Sequence, residues 1–324
     1  MHSVKVTTLS DIAERLGTSV NTVSRALRDC ADIGVEMKSK VRQAAAEMGY
    51  RPSRVAAFMR TKKSNVIAVV ISSLYNPFFS IVLDRVFKRF DLQNYTPLII
   101  VRKGCDLSVD DVLYCVQNGA SGILTFIDLE DETVDYCAAN GFPLLLCGSS
   151  SKDERVSVVC ADDRLCGELV AQEAIGQGST RPCYINGSES AINTMRREGF
   201  ATVLREARLD CDNYCFDYEH RSECVQNLKK RILESGNDFV FCFNDEIAMA
   251  MLKIFEDNAK MRSSIFGIDG ISKYLSYLIQ VNSVGVDLED MADRCAQILI
   301  NRIESDDRSS IREILPPSLF RING

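Results

Sequence analysis

The sequence predicts two structural classes in one chain: a small all-helical module at the N-terminus and a large α/β domain of two lobes. Apolar residues recur every three or four positions over residues 1–50, which is the spacing of buried helical faces. From Asn65 onward, apolar runs of strand length alternate with helix-length segments, as in parallel sheets built from βαβ units. Charge divides at the same place, because residues 1–63 carry 12 Lys and Arg against 6 Asp and Glu, whereas the remainder carries 26 against 39. A basic module on an acidic body is typical of chains that bind nucleic acid through one part only.

The first helix is predicted from a buried stripe and from residues suited to its ends. The stripe has apolar residues at i, i+3, i+4 and i+7, namely Leu9, Ile12, Ala13 and Leu16. Thr8 and Asp11 are placed as a capping pair at its start, and Gly17 is expected to end it. Ser19 is a good N-cap for a second helix that begins one residue later.

The second and third helices follow from the same spacing. In the second, Val20, Val23 and Leu27 can point inward. The third repeats the apolar stripe with Val41, Ala44, Ala45 and Met48, and Gly49 is placed to end it. We therefore expect a three-helix module over residues 1–50 and a basic connector over residues 51–64.

Two short helices joined by a tight glycine turn form a helix-turn-helix, whose second helix can enter the major groove of DNA. With Val23 inward, Asn21 and Arg25 lie on the outer face, and Val20 stands at the helix start. Arg can bond guanine, Asn can bridge adenine, and Val can touch a thymine methyl group. Hydroxyl groups suited to phosphate oxygens are those of Thr8, Ser19, Thr22 and Ser24. The alternative is an ordinary three-helix bundle with a solvated polar face.

The α/β domain is predicted from seven apolar runs followed by a return segment near Val281–Val286. The runs are VIAVVI, PLIIV, GILTF, PLLLC, RPCYIN, DFVFCF and SSIFGI. We assign residues 65–324 to this domain, with a first lobe of about 65–161 and 285–313 and a second lobe of about 162–284 and 314–324.

Ligands of open α/β sheets bind at the carboxyl ends of strands, so the polar and aromatic residues just after the strands mark the expected pocket. The candidates are Asn76, Phe78, Phe79, Arg196, Asn244 and Asp269. This set suits a polar metabolite, and Arg could pair with carboxylate or phosphate oxygens. Each residue could instead be only a helix cap or a surface residue. Neither a catalytic set nor a glycine-rich dinucleotide fingerprint is visible, so we expect no enzyme and no cofactor.

The N-terminus lacks a signal-peptide stretch, and the longest apolar runs are far below a membrane span, so a cytoplasmic protein without membrane contact is expected. The 13 cysteines are interpreted as reduced, buried apolar residues. Four possible zinc ligands lie close together: Cys211, Cys215, His220 and Cys224. Their spacing lacks the paired knuckles of structural zinc sites, so we assign no metal site. A metal- or thiol-responsive protein is kept as an alternative.

The segments TLSDIAERLGTSVNTVSRAL and SKVRQAAAEMGYRPSRVA resemble the N-terminal module of the lactose-repressor (LacI/GalR) family. The resemblance implies that Val20, Asn21 and Arg25 occupy base-reading positions. It also implies a hinge helix in the minor groove, with DNA contacts from Arg54, Val55 and Met59. Met59 stands where the family usually has a Leu wedge, and its flexible apolar side chain could still kink the duplex. The alternative is a disordered basic linker that contacts only phosphates.

The body is similar to the effector-binding domain of the same family through NPFF, VCADDRLCG, RREGF, FNDEIA, FGIDG and ILPPSLFR. This similarity implies effector contacts at Asn76, Phe78, Arg196, Asn244 and Asp269, a lobe crossing at Asp162, and a stacking ring at Tyr218. Gly148 and Asp293 depart from common family residues, which leaves a sugar or a purine as the effector. The implied protein is a homodimeric repressor of a pseudo-palindromic operator in double-stranded DNA. Two alternatives are disfavoured. A pure solute-binding protein should carry a signal peptide, and a cytosolic enzyme with an accessory domain should carry a catalytic set. Neither feature is visible in this sequence.

Overall fold

The computed structural model describes residues 7–50, 64–102, 106–187, 190–305 and 307–322. The chain divides into two compact units, Met1–Ser64 and Asn65–Gly324. The predicted hinge contacts Arg54, Val55 and Met59 lie outside the described residues.

The first unit contains three helices, α1 (Leu9–Leu16), α2 (Val20–Leu27) and α3 (Val35–Glu47). Their shared core is formed by Ile12, Ala13, Val23, Ala26, Val41, Ala44 and Ala45. The predicted caps are confirmed: Thr8 and Asp11 form a capping box, Gly17 ends α1 in the left-handed conformation, and the Ser19 side chain accepts from the Thr22 amide.

The first lobe of the larger unit is built on a six-stranded parallel sheet. In spatial order its strands are β13 (Arg312–Leu315), β7 (Ser157–Ala161), β6 (Leu144–Cys147), β4 (Ala120–Thr125), β1 (Val66–Ile71) and β2 (Thr96–Val101). One face is covered by α4 (Pro77–Leu92) and α12 (Leu288–Glu304), and the other by α5 (Val109–Gln117) and α6 (Asp131–Asn140). A separate two-stranded parallel sheet is formed by β3 (Asp106–Leu107) and β5 (Asp128–Leu129).

The second lobe has its own six-stranded sheet, in which only the pairing of β12 with β14 is antiparallel. Its spatial order is β14 (Ser318–Phe320), β12 (Asn282–Gly285), β11 (Ile265–Ile268), β10 (Phe239–Cys242), β8 (Pro182–Asn186) and β9 (Asp212–Cys215). One face carries α7 (Asp163–Gly176) and α8 (Ala191–Glu206). The other carries α9 (Arg221–Ser235), α10 (Asp245–Ile254) and α11 (Ala259–Ser263).

The chain crosses between the lobes three times, and two crossings differ from the expected positions. Gly285 still belongs to β12 of the second lobe, and α12 of the first lobe begins at Leu288. The last crossing, expected at residue 313, lies between Leu315 and Ser318, because β13 continues to pair with β7 up to Leu315.

All seven predicted apolar runs form strands, and the predicted return segment contains β12. Among the described residues, six strands lie outside these segments: β3, β5, β7, β9, β13 and β14. Asp293, one of the family departures, lies in α12 and accepts hydrogen bonds from Arg85 and Arg89 of α4. This residue therefore helps to hold the two helices that cover one face of the first sheet. No helix within the described ranges is long and apolar enough to cross a membrane.

Candidate functional site

The outward face of α2 carries the residues expected to read DNA. Val20 is 45% exposed and Asn21 is exposed, whereas Val23 and Ala26 are buried in the three-helix core. Arg25 lies four residues after Asn21, so both side chains share one helical face. The Arg25 Nη2 atom lies 2.6 Å from Asp32 Oδ2, an ion pair that the sequence did not indicate.

The hydroxyl groups expected to bind phosphate already make local hydrogen bonds. Thr8 Oγ1 accepts from the Asp11 amide, and Ser19 Oγ accepts from the Thr22 amide at 3.0 Å and contacts Thr22 Oγ1 at 2.8 Å. These bonds place the side chains at the N-termini of α1 and α2. Their phosphate contacts, and that of Ser24, stay predictions.

The first lobe carries an amide and an aromatic group at the carboxyl ends of β1 and β4. Asn76 caps α4, because its Oδ1 accepts from the Phe78 amide at 2.9 Å. The rings of Phe78, Phe79 and Phe126 meet edge to face, with centroids 5.5 to 6.1 Å apart. Gly148, the other family departure, lies beside this group, since a Cβ there would be 3.9 Å from Phe78. Gly148 therefore places no side chain beside these rings.

Arg196 of α8 is buried in the second lobe and is already bonded inside it. Its Nε donates to Asp163 Oδ1 at 2.7 Å, and its Nη1 donates to the Phe243 carbonyl at 2.7 Å. The guanidinium also lies over the Phe243 ring, 4.9 Å from the centroid. Burial raises the pKa of Asp163 although Arg196 opposes the rise, and Asp163 Oδ2 has no hydrogen-bond partner. Arg196 therefore compensates a buried carboxylate, a function that the sequence did not show.

Tyr218 and Asn244 lie close together after the carboxyl ends of β9 and β10 in the second sheet. Asn244 caps α10 by accepting from the Ile247 amide at 3.0 Å, and its Nδ2 lies 3.5 Å from the Tyr218 hydroxyl. The Tyr218 ring packs against Phe216 at 5.0 Å and lies 5.2 Å from the Arg221 guanidinium. Asp162, expected at the lobe crossing, caps α7 by accepting from the Leu165 amide.

Asp269 of the second lobe lies close to Asn76 of the first lobe, and this neighbour opposes the rise in the pKa of its buried carboxyl group. Its φ angle of 124° is rare for a residue with a side chain, and its Oδ2 is buried without a partner. Burial raises the pKa of Asp269 to about 7; the charge of Arg196 opposes this rise, while Asp163 and Glu246 add to it. Asp269 thus combines a strained backbone with a free side-chain acceptor at the lobe interface.

Asp128 lies where the two lobes approach each other, and the sequence analysis missed it. It lies in β5 of the first lobe, yet its carboxylate lies close to Ser149 and to the Ala191 amide at the start of α8 in the second lobe. Its Oδ1 is buried without a partner, and burial raises its pKa. Asp128 lies just after the end of β4, so the rule that selected Asn76 and Asp269 would also have selected it.

The cysteine and histidine cluster forms local bonds. Cys224 Sγ lies 3.1 Å from the Asp217 amide, and His220 Nδ1 lies 3.0 Å from Asp217 Oδ2. Among the described residues, no three His, Cys, Asp or Glu side chains are grouped so as to hold a metal ion.

Two family descriptions together match nearly the whole chain. Residues 8–53 match the bacterial regulatory proteins of the lacI family, and residues 64–313 match the periplasmic binding proteins and sugar binding domain of LacI family. The chain belongs to the LacI family. It is a DNA-binding transcription regulator with an effector-binding domain, and not an enzyme.

Relatives of this regulator match along most of its length. The sucrose operon repressor of Pediococcus pentosaceus is 23% identical over 303 residues, covering 91% of this chain and 92% of that protein. The PurR repressor of Vibrio parahaemolyticus is 23% identical over 326 residues, covering 97% of each. A lac repressor dimer bound to operator and the anti-inducer ONPF has a TM-score of 0.83 at 20% identity, covering 98% of each chain. The regulator therefore shares its fold with a repressor solved on DNA.

Proposed function

We propose that this regulator is a homodimeric repressor acting in the cytoplasm on a pseudo-palindromic operator, and that a neutral, hydroxyl-rich effector such as a sugar controls it. In this proposal α2 of each subunit reads one half-site with Val20, Asn21 and Arg25. The effector binds between the two lobes of the larger unit. The lac repressor dimer bound to its operator, which shares the fold, supports this arrangement.

The observation that carries the effector class is a set of buried carboxylate oxygens without partners. Asp128 Oδ1, Asp163 Oδ2 and Asp269 Oδ2 all lack a hydrogen bond. The charge of Asp128 raises the pKa of Asp163, and the charge of Asp163 raises the pKa of Asp269, so the three carboxyl groups act on one another. Buried acceptors are costly when unpaired, so a ligand that donates hydrogen bonds is stabilised here.

The same charges disfavour an anionic effector. The sequence left a carboxylate or phosphate open through Arg196, but that guanidinium is already paired with Asp163 at 2.7 Å. A second anion would enter a cleft with three carboxyl groups and one compensated cation. The rings of Phe78, Phe79 and Phe126 add an apolar wall, which suits the C–H face of a sugar ring.

The effector proposal is tested by a thermal-shift screen of the full-length protein against neutral sugars, sugar phosphates, nucleobases and small organic acids. A bound ligand raises the melting temperature by mass action. We expect a neutral sugar to raise it, and expect D128N and D269N to weaken that response. A response only to phosphates or organic acids would refute the proposed class, and a response only to nucleobases would favour a purine.

The DNA-reading proposal is tested with R25A in the full-length protein. Loss of a bidentate base contact should weaken operator binding by about fivefold to 150-fold, because such a contact contributes roughly 1–3 kcal/mol of discrimination. Binding to random duplex should change little, since phosphate contacts carry no sequence information. An equal loss on both DNAs, measured by fluorescence anisotropy, would contradict the base contact.

Dimerisation is supported by apolar side chains on one edge of the first lobe. Ile99 and Val101 of the edge strand β2 are 45% and 42% exposed, and Tyr114 and Val116 of α5 are 47% and 40% exposed. Contiguous exposed apolar surface on an edge strand marks a binding surface. Sedimentation velocity of the full-length protein should show a dimer, and a stable monomer at micromolar concentration would oppose the proposal.

A further inference from the structure

We propose that Asp32 is a specificity-determining positioning residue, which holds the Arg25 guanidinium for base reading and keeps it from the nearest phosphate. Asp32 lies in the turn after α2, and Arg25 lies in the last turn of that helix. The inference rests on the proposed DNA-reading role of α2 and adds to it a residue outside the recognition helix.

The geometry leaves one way for Arg25 to meet a base. Its Nη2 is bonded to Asp32 Oδ2 at 2.6 Å, and its Nε is shielded from solvent without a hydrogen-bond partner. The side-on pair of Nε and Nη2 is therefore not available to an outside group, whereas the end-on pair of Nη1 and Nη2 is. Nη2 carries two hydrogen atoms, so one can stay on Asp32 while the other reaches guanine O6 or N7.

An ion pair also changes what the guanidinium is attracted to. A free Arg side chain beside DNA is drawn to phosphates, which surround every base pair and carry no sequence information. The Arg25 hydrogen bond lowers the pKa of Asp32, so the carboxylate is ionised at neutral pH and offsets the Arg charge. The pair gains little from phosphate attraction and keeps its planar donors for a base edge.

Other basic side chains of the helical module are also paired with carboxylates. Residues 7–50 contain six Lys and Arg and six Asp and Glu, so the basic excess of residues 1–63 comes from outside them. Within this described stretch, the cations of α1 and α3 are paired with carboxylates: Arg15 with Glu47, Lys40 with Glu36, and Lys38 and Arg42 with Asp29. Electrostatic attraction to DNA phosphates therefore comes from other segments of the chain, and α2 can distinguish between base sequences.

Asp29 provides a matched control in the same turn. It is exposed and acidic like Asp32, but its partners are Lys38 and Arg42 of α3, at 3.0 and 3.1 Å. Its φ angle is 61°, a conformation that Asn tolerates well. D29N and D32N therefore remove the same charge from the same turn, and only D32N weakens the hold on Arg25.

The experiment compares wild type, D29N, D32N and D32A as full-length proteins, on an operator found by selection from randomised duplex DNA and on random duplex over a salt series. D32N and D32A should bind random duplex more tightly, with the salt slope steeper by about 0.9 for one added phosphate contact. The ratio of operator to random affinity should fall at least about fivefold, more in D32A than in D32N, and the preference for guanine at one position should disappear. D29N should keep the ratio and the preference.

Equal ratios in D29N and D32N, with helical circular dichroism intact in both, would overturn the role of Asp32. A parallel measurement on R25A separates this failure from failure of the proposed function. If R25A keeps the wild-type selectivity, α2 does not read DNA through Arg25. If R25A loses selectivity while D32N and D32A keep it, only the positioning by Asp32 is wrong.

Discussion

Replacing Arg196 by Met tests whether the second lobe depends on the ion pair that the structure shows. Arg196 is 7% exposed and Asp163 is 1% exposed, and the two are joined by a 2.7 Å bond. R196M fills a similar volume but leaves the Asp163 carboxylate buried and uncompensated. It also frees the Phe243 carbonyl, which accepts from Arg196 in the native lobe.

The magnitude follows from the cost of breaking a buried pair. Removing one partner of such a pair typically costs about 3–5 kcal/mol. For a unit of this size about 1 kcal/mol corresponds to roughly 2–4 °C, so the melting temperature should fall by about 6–20 °C. Part of the loss is relieved when Asp163 takes up a proton, since burial raises its pKa and Arg196 no longer opposes the rise. The destabilisation should therefore be larger at pH 8 than at pH 5.

The assay is differential scanning calorimetry of the full-length protein at both pH values. R197M is the matched control, because Arg197 follows Arg196 in α8 and is exposed; surface substitutions of this kind usually change stability by less than about 0.5 kcal/mol. Adding D163N to R196M should recover part of the loss. If R196M and R197M melt at the same temperature at pH 8, the ion pair does not stabilise the lobe.

Two further predictions concern helix packing and pH. A Cβ at Gly199 would lie 2.1 Å from the Arg164 carbonyl, so G199A should lower stability by about 1–3 kcal/mol in a denaturant titration, whereas G176A, with nothing within 4 Å, should not. Because burial raises the pKa of Asp269 to about 7, its contribution to stability is present at low pH and is lost as pH rises from about 4 to 7. A hydroxyl donor from the effector favours the ionised carboxyl group, so calorimetric affinity should rise from pH 5.5 to 8 and be flat in D269N; a flat wild-type profile would oppose this contact.

The local features of the fold could be predicted because their causes are local. The Thr8 capping box and the Ser19 cap depend on residues three positions apart. Most central strands were visible because they are continuous apolar runs, but β7 is also a central apolar strand and was overlooked. Strands β13 and β14 were missed because they are edge strands, and in REIL and SLF half-exposed polar and apolar residues mix.

The functional features that sequence reasoning missed depend on distant contacts. Asp163 and Arg196 are 33 residues apart, so their pairing is not visible in the local pattern. Asp128 follows a predicted strand, but its approach to the Ala191 amide depends on how the two lobes meet. The family resemblance selected Asn76 and Asp269, which the structure brings close together across the two lobes. Proximity in such cases comes from tertiary packing.

Linkage between effector and operator tests the central claim most directly. The affinity of the full-length protein for the sugar found by thermal shift is measured with and without saturating operator, and the affinity for operator is measured with and without that sugar. If one polypeptide couples the two sites, both affinities should change by the same factor, about 5-fold to 150-fold for a coupling of roughly 1–3 kcal/mol. If the sugar binds equally well to the free and the operator-bound protein, the effector cleft does not control DNA binding.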